Sequence, residues 1–250
     1  MMQGWPEGTG KFVFDTIDST MAEARRQAPA TAGAAWFLSY EQTAGSGRRG
    51  RPWSSQKGNF AASLLIRPEA TPDKLALRSF VAALALYDAL VECTGRTEPF
   101  QLKWPNDVLL NGGKLAGILL ETIAEGPDRY ALVIGIGVNL ASRPETDKLE
   151  TRALTPKSLK HDMGINIKPE TFLDALAVAY AEWETRLQTY GFAPIREAWL
   201  ARAANIGKPV TARFSDQVIE GIFKTVDETG ALILQAADRQ HVITAADISL

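Results

Sequence analysis

The sequence predicts a mixed α and β protein in two parts, residues 1–204 and residues 205–250. Three observations carry this. Strand-like stretches in the first part are interleaved with segments of helical spacing, at about 71–93 and 169–190. Two of the strands form a hairpin closed by the turn residues Gly126-Pro127-Asp128. From Asn205 the texture changes to short strand-like runs at close spacing, the pattern of a small barrel.

In chain order, residues 11–16 (KFVFDT) alternate like a strand, and Asp18-Ser19-Thr20-Met21-Ala22-Glu23 supplies caps for a short helix ending near Pro29. Within it, Thr20 and Glu23 make a capping-box pattern. Residues 34–40 and 60–66 read as extended. Thr71-Pro72, an N-cap followed by proline at the first helical position, opens a helix to about Cys93. Strands follow near 99–104, 114–123 and 129–138, and residues 142–157 read as a polar connection. Helices are expected at about 169–190 and 193–204. In the second part, runs beginning at Pro209, Val218, Ala231 and His241 are separated by turns such as Asp227-Glu228-Thr229-Gly230.

Composition excludes several classes. With 250 residues, 46% of them hydrophobic and 22% charged, the chain can bury a sizeable core. Lys+Arg 27 against Asp+Glu 29 gives a net charge of −2, so no global field draws nucleic acid or acidic membrane. Positive charge can matter only locally. The one cysteine, Cys93, cannot close an intrachain disulfide, no leading segment resembles a signal peptide, and no apolar run reaches ~20 residues. The expectation is a cytoplasmic protein without a membrane partner. His161 and His241 stand too far apart to suggest a metal site, and metal-binding residues stay unknown.

The densest segment is Gly45-Ser46-Gly47-Arg48-Arg49-Gly50-Arg51-Pro52-Trp53. Its glycines allow positive φ and close backbone approach, and its three guanidiniums repel one another unless anions sit between them. It reads as an anion clamp or as a solvated basic turn. A second segment is Lys103-Trp104-Pro105-Asn106-Asp107, where Pro105 ends a strand and places Asn106 and Asp107 on a turn facing a cleft. Lys114-Leu115-Ala116-Gly117 then opens an apolar strand. Lys114 reads either as an edge gatekeeper or as a ligand contact, and Gly117 either as a bulge or as room for a flat ligand. In Ile134-Gly135-Ile136-Gly137-Val138-Asn139 the spacing is strand-like and gives no G-x-G-x-x-G, so a dinucleotide fold is rejected. The alternate glycines leave one strand face bare, for a ligand ring or for a helix.

Together with Asp18-Ser19-Thr20 and Gln42-Thr43-Ala44, these segments resemble the bacterial biotin protein ligases, in one order over nearly the whole chain. The resemblance implies an α+β, class II aminoacyl-tRNA synthetase-like biotinyl/lipoyl ligase catalytic domain with a C-terminal SH3-like β-barrel. It also implies biotin and ATP as substrates with Mg²⁺, a biotinyl-5′-AMP intermediate, and transfer to a lysine of the biotin carboxyl carrier protein of a biotin-dependent carboxylase. Arg48, Lys114 and Asp107 are the implied catalytic residues. Biotin would meet Ser19, Thr20, Gln42, Gly45, Ser46, Gly47, Arg48, Lys114 and Gly117. The nucleotide would meet Arg49, Arg51, Trp53, Lys103, Asn106 and Asn139. For Ser19 and Thr20 helix capping stands as the competing reading, and for Trp53 and Asn139 plain packing does. Asp107 would orient or deprotonate the incoming lysine, or help hold Mg²⁺.

Two residues depart from the family pattern: Ser46 stands where arginine is usual, and Met21 where asparagine is common. Lipoate ligases and octanoyltransferases are the nearest rivals. The first carry an Arg-Arg and triple-glycine motif that is missing, and the second need a nucleophilic cysteine, whereas Cys93 falls at helical spacing from Leu86 and Leu90. A nucleic-acid module would need more than one isolated arginine cluster in an acidic chain. About ten residues precede the first strand, too few for a helix-turn-helix, so a single-function ligase without nucleic-acid partner is expected, in a form that admits a homodimer.

Overall fold

A computed structural model describes residues 4–144, 154–214 and 217–249. Most of the polar connection expected at 142–157 lies outside the described residues. Strands β1 (Gly10–Phe14), β2 (Ala35–Ser39), β3 (Phe60–Ile66), β4 (Phe100–Lys103), β5 (Asp107–Leu110), β6 (Gly113–Gly126) and β7 (Arg129–Val138) form a seven-stranded sheet in the order β1-β2-β3-β7-β6-β5-β4. The β1–β2 pair is parallel and the other pairs are antiparallel. The helices are α1 (Thr20–Gln27), α2 (Pro72–Ala76), α3 (Arg78–Thr94), α4 (Leu159–Met163), α5 (Pro169–Tyr190) and α6 (Phe192–Leu200).

Period-two alternation assigns the two faces of this sheet. Phe60, Ala62 and Leu64 of β3 and Leu132, Ile134 and Ile136 of β7 bury themselves with α3 and α5 in the main core. The opposite face is smaller: Met21 and Ala24 of α1, with Ala28 just past its end, cover Phe37, Leu65, Ala131 and Val133. At roughly 25 cal/mol per Å², the larger core supplies most of the hydrophobic stabilisation. The short α1 leaves part of its own face open.

Several elements differ from the sequence reading. The helix expected at 71–93 is broken at Leu77 into α2 and α3, and Gly95 ends α3 in a left-handed C-cap with φ +68°. Asp107 is the first residue of a strand, β5, that the sequence reading lacks. The last helix of the first part stops at Leu200. Ser19, not Thr20, is the N-cap of α1, and it makes no side-chain capping bond; Thr20 is the first helical residue, so the Thr20–Glu23 capping box does not form.

The second part is a five-stranded antiparallel sheet of β8 (Pro209–Arg213), β9 (Val218–Val226), β10 (Leu232–Gln235), β11 (Gln240–Ile243) and β12 (Asp247–Ser249), ordered β11-β10-β9-β8-β12. Its Val210, Phe223, Leu232 and Ile248 belong to the same core as Phe80 and Trp199. Trp104 Nε1 donates to Gly230 O at 3.0 Å, and Arg196 Nε donates to Val226 O. Among the described residues no helix is long and apolar enough to cross a membrane.

Candidate active site

The register of the large sheet builds the floor of a cavity of about 430 Å³. In antiparallel pairs, directly opposed residues share a face. One such row runs Ala61, Gly137, Gly117, Asp107 and Lys103 across β3, β7, β6, β5 and β4. The neighbouring row holds Ser63, Gly135 and Leu119, and the next Leu65, Val133 and Glu121. Side chains thus shrink along β7 from Val133 to Gly135 to Gly137, opening a hollow beyond α1.

The hollow is partly filled by the protein itself. A Cβ on Gly135 would lie 2.6 Å from Met21 Sδ, and one on Gly137 would collide with the Trp53 indole. The same indole passes 3.4 Å from a Cβ placed on Gly117. The bare strand face therefore receives a helix side chain at Gly135 and a loop ring at Gly117 and Gly137, both from this chain.

At the buried end, the Thr20 hydroxyl lies 3.0 Å from Gln42 Oε1 and 2.8 Å from Ser63 Oγ, and Thr20 N–H donates to Gln42 Oε1 at 2.8 Å. Gln42 Nε2 donates to Ser55 Oγ at 2.8 Å. These polar side chains, not a capping bond, engage the Thr20 hydroxyl. Glu23 accepts from Arg26 and Gln27. Gly45 lies beneath Gln42 and Trp53, where a Cβ would come 2.6 Å from Trp53 O, so its lack of a side chain lets the loop turn here.

At the other end the charges collect. Between Val108 and Leu109 the β5–β6 register slips, a bulge that re-aims Lys114. Its Nζ reaches Asp107 Oδ1 at 2.7 Å and lies 5.7 Å from the Trp53 ring centroid. Lys103 Nζ is 3.8 Å from the same carboxylate. Burial pushes the Lys103 ammonium below its ordinary pKa, against the attraction of Asp107. Burial likewise lowers Arg48, whose Nη1 donates to Asn106 Oδ1 at 3.5 Å. Asn106 Nδ2 donates in turn to Ile118 O.

The Gly/Arg segment forms a tight turn at Arg48–Gly50, with Arg49 at φ +57°, an unusual conformation for a residue with a Cβ. It is held from the far end of the chain: Asp247 Oδ2 accepts from Arg49 at 2.6 Å and from Arg51 at 2.5 Å. Burial works against the Asp247 charge, but the bonds from Arg51 and the nearby Arg49 and Arg48 hold its carboxyl below the usual range.

Of the residues named from sequence, Ser19, Thr20, Gln42, Ser46, Gly47, Arg48, Arg51, Trp53, Lys103, Asn106, Asp107, Lys114, Gly117 and Asn139 line this one cavity. Arg49 is outside its lining, turned to Asp247, and Gly45 is outside it, under Trp53. Asn139 is buried, and its amide donates to Lys157 O at 3.0 Å. Sequence reasoning missed Arg213 and Asp247, which line the cavity from β8 and β12. Cys93 sits on α3 with its thiol pushed up to about 11 by burial, the opposite of a nucleophile's need.

A hydrogen-bonding hollow joined to a cationic mouth, on a mixed sheet with an antiparallel sheet beside it, defines a protein that seats a neutral polar group next to anions. The family model described as "Biotin/lipoate A/B protein ligase family" matches residues 13–139, and that described as "Biotin protein ligase C terminal domain" matches residues 206–250. The chain belongs to the biotin protein ligase family. It is 52% identical over 231 residues to a biotin–acetyl-CoA-carboxylase ligase of Paracoccus denitrificans, covering 92% of this chain and 96% of that one. It is 33% identical to the bifunctional ligase/repressor BirA of Bacillus subtilis, covering 84% of this chain and 64% of that longer protein. Among solved structures, the biotin protein ligase of Aquifex aeolicus in complex with biotin and ATP superposes with a TM-score of 0.81 at 25% identity, covering 96% of this chain and 97% of that one.

Proposed function

We propose that this chain activates biotin with ATP as biotinyl-5′-AMP and transfers the biotinyl group to a lysine of a biotin carboxyl carrier protein, that of acetyl-CoA carboxylase by analogy with its Paracoccus relative. The observation that carries this is the continuity of one cavity from the neutral Thr20–Gln42–Ser63 end to the cationic end at Arg48, Lys103 and Lys114. The neutral end suits the ureido ring, whose N–H and C=O groups need paired donors and acceptors once buried. The cationic end suits the meeting of a carboxylate with a triphosphate, two anions that repel each other without cations between them.

In the first step a biotin carboxylate oxygen attacks the α-phosphorus. A new O–P bond forms, the bond from that phosphorus to the β-phosphate oxygen breaks, and pyrophosphate leaves with the electron pair. Arg48 and Lys114 offset charge on the α-phosphoryl oxygens, a role that desolvation strengthens. Asp107 positions Lys114 through their ion pair. In the second step the neutral amine of the carrier lysine attacks the acyl carbon, a C–N bond forms, and AMP leaves as the C–O bond of the anhydride breaks. Asp107, close to Lys103 and Lys114, is the carboxylate placed to take the amine's proton. Trp53, lying over Gly117 and Gly137, walls the ring site off from the nucleotide; Arg51, Lys103, Asn106 and Asn139 belong to the nucleotide side, and Arg49, held outside the lining by Asp247, would reach it only by leaving that carboxylate.

Mg²⁺ would come with the ATP to offset its phosphate charge, and Asp107 and Asp247, the carboxylates that line the cavity, would be the residues to hold it. The reading places the protein in the cytoplasm, where ATP and the carrier are found, and without a nucleic-acid partner. Calorimetric titration with biotin, with and without ATP-Mg²⁺, followed by mass analysis of the bound species, tests it. Biotin binding and accumulation of biotinyl-5′-AMP are expected; no biotin binding under either condition would overturn the reading.

A further inference from the structure

We propose that Arg213, on the C-terminal sheet, is a phosphate-binding residue that holds the β- and γ-phosphates of ATP, the part that departs as pyrophosphate. The inference rests on ATP being the co-substrate. Arg213 lines the cavity and stands directly opposite Asp247 in the β8–β12 register, so both side chains share one face. Asp247 is nevertheless turned to Arg49 and Arg51. The Arg213 Nε is buried and has no hydrogen-bond partner among the described residues.

A buried donor without a partner is costly, and native structures keep few of them unless a ligand or ion completes the site. The cavity supplies the reason. Its lining carries five cationic side chains, Arg48, Arg51, Lys103, Lys114 and Arg213, against two carboxylates, Asp107 and Asp247. A single biotin carboxylate cannot balance that excess, whereas a triphosphate can. With Arg48 and Lys114 at the reacting carboxylate and α-phosphate, the cations on the C-terminal side face the rest of the triphosphate. A guanidinium offers several donors in a plane matched to phosphate oxygens, which a lysine at this position does not.

The test is biotin-dependent exchange of labelled pyrophosphate into ATP by the full chain, the Arg213→Gln variant and the Arg213→Lys variant, with biotin affinity measured in parallel by calorimetry. Loss of one charge-assisted contact should raise the KM for both ATP and pyrophosphate by about ten- to a hundredfold in Arg213→Gln. Biotin affinity should stay unchanged, and Arg213→Lys should recover part of the loss. Unaltered KM values for ATP and pyrophosphate in Arg213→Gln would overturn the assignment. So would a parallel loss of biotin binding, which would make Arg213 a structural residue. If the unmodified chain binds biotin but performs no exchange, the ATP reading itself fails, and the assignment with it.

Discussion

The two ends of the cavity are built on opposite plans. The buried end is made of neutral groups that already satisfy one another: Thr20 and Gln42 line the cavity, and hydrogen bonds run from them to Ser63 and Ser55, which lie outside the lining. The cationic end is made of charges that oppose one another. It is held by two borrowed carboxylates, Asp107 between two lysines and Asp247 between two arginines. The first end can receive a ligand by exchanging hydrogen bonds in place. The second must hand its cations from protein carboxylates to substrate anions. In the reaction proposed above, the difference separates recognition by preformed groups from catalysis by cations that the substrate's charge draws off protein carboxylates.

The contrast can be broken most severely at the cationic end. Replacing Lys114 by alanine leaves Asp107 with only the longer Lys103 contact and removes a cation from the reacting centre. Adenylate formation should fall about 10²–10³-fold, measured by pyrophosphate exchange, while calorimetric biotin affinity changes far less. Equal losses in both would show that the two ends are not separable. At the buried end, Thr20→Val removes the hydroxyl that pairs with Ser63 Oγ and with Gln42 Oε1, while the bond from the Thr20 N–H to Gln42 Oε1 stays. It should cost about 1–3 kcal/mol in denaturant unfolding and weaken biotin binding, with the rate of adenylation from the bound state little altered.

Smaller effects sharpen the comparison. Asp247→Asn should change global stability by less than about 1 kcal/mol, since its partners Arg49 and Arg51 are half-exposed. It should nonetheless expose the Arg48–Arg51 turn to trypsin. The same contact gives a pH signature. Because the Asp247 carboxyl is held below its usual range, its anchoring of the loop is complete above the ordinary carboxylate pKa of ~3.9 and is lost as pH falls through the lower folded value. Amide hydrogen exchange in the 48–51 turn, corrected for its intrinsic rate, should then rise in acid in the unmodified chain and show no such rise in Asp247→Asn. The smallest effect is expected from Ser46→Arg, which restores the family's usual cation at the lining. It should slow biotinyl-adenylate release, and an unchanged or faster release rate would count against a direct contact.

What was legible in the sequence follows the same division. The hairpin of β6 and β7 could be read from alternation and its turn, and Lys103, Asp107, Lys114 and Gly117 from short motifs whose members are neighbours in the chain. Thr20 was legible with two competing roles, a ligand contact by resemblance and a helix cap by its spacing to Glu23, but its bonding partners were not. Only the fold brings Gln42 and Ser63 within reach of its hydroxyl. The bulge that turns Lys114 toward Asp107 has no local signature, nor does the brief strand β5. Arg213 and Asp247 were invisible for a plainer reason. They sit on short strands of ordinary composition, and their meeting with the Gly/Arg segment depends on packing across some 160–200 positions of chain.

The indole of Trp104 bonded to Gly230, Arg196 bonded to Val226 and the apolar residues shared with Phe80 and Trp199 fasten the C-terminal sheet to the first part of the chain. Swinging that sheet aside would tear open the main core at every turnover. Access therefore falls to surface loops such as 45–53, and loops move in about nanoseconds to microseconds where whole domains take microseconds to milliseconds. Against turnover of roughly 1–10³ per second, typical of enzymes, such a gate opens many times per cycle. In the reaction proposed above, the slow step would then be chemistry or product escape, with the C-terminal sheet as a fixed wall of the cavity.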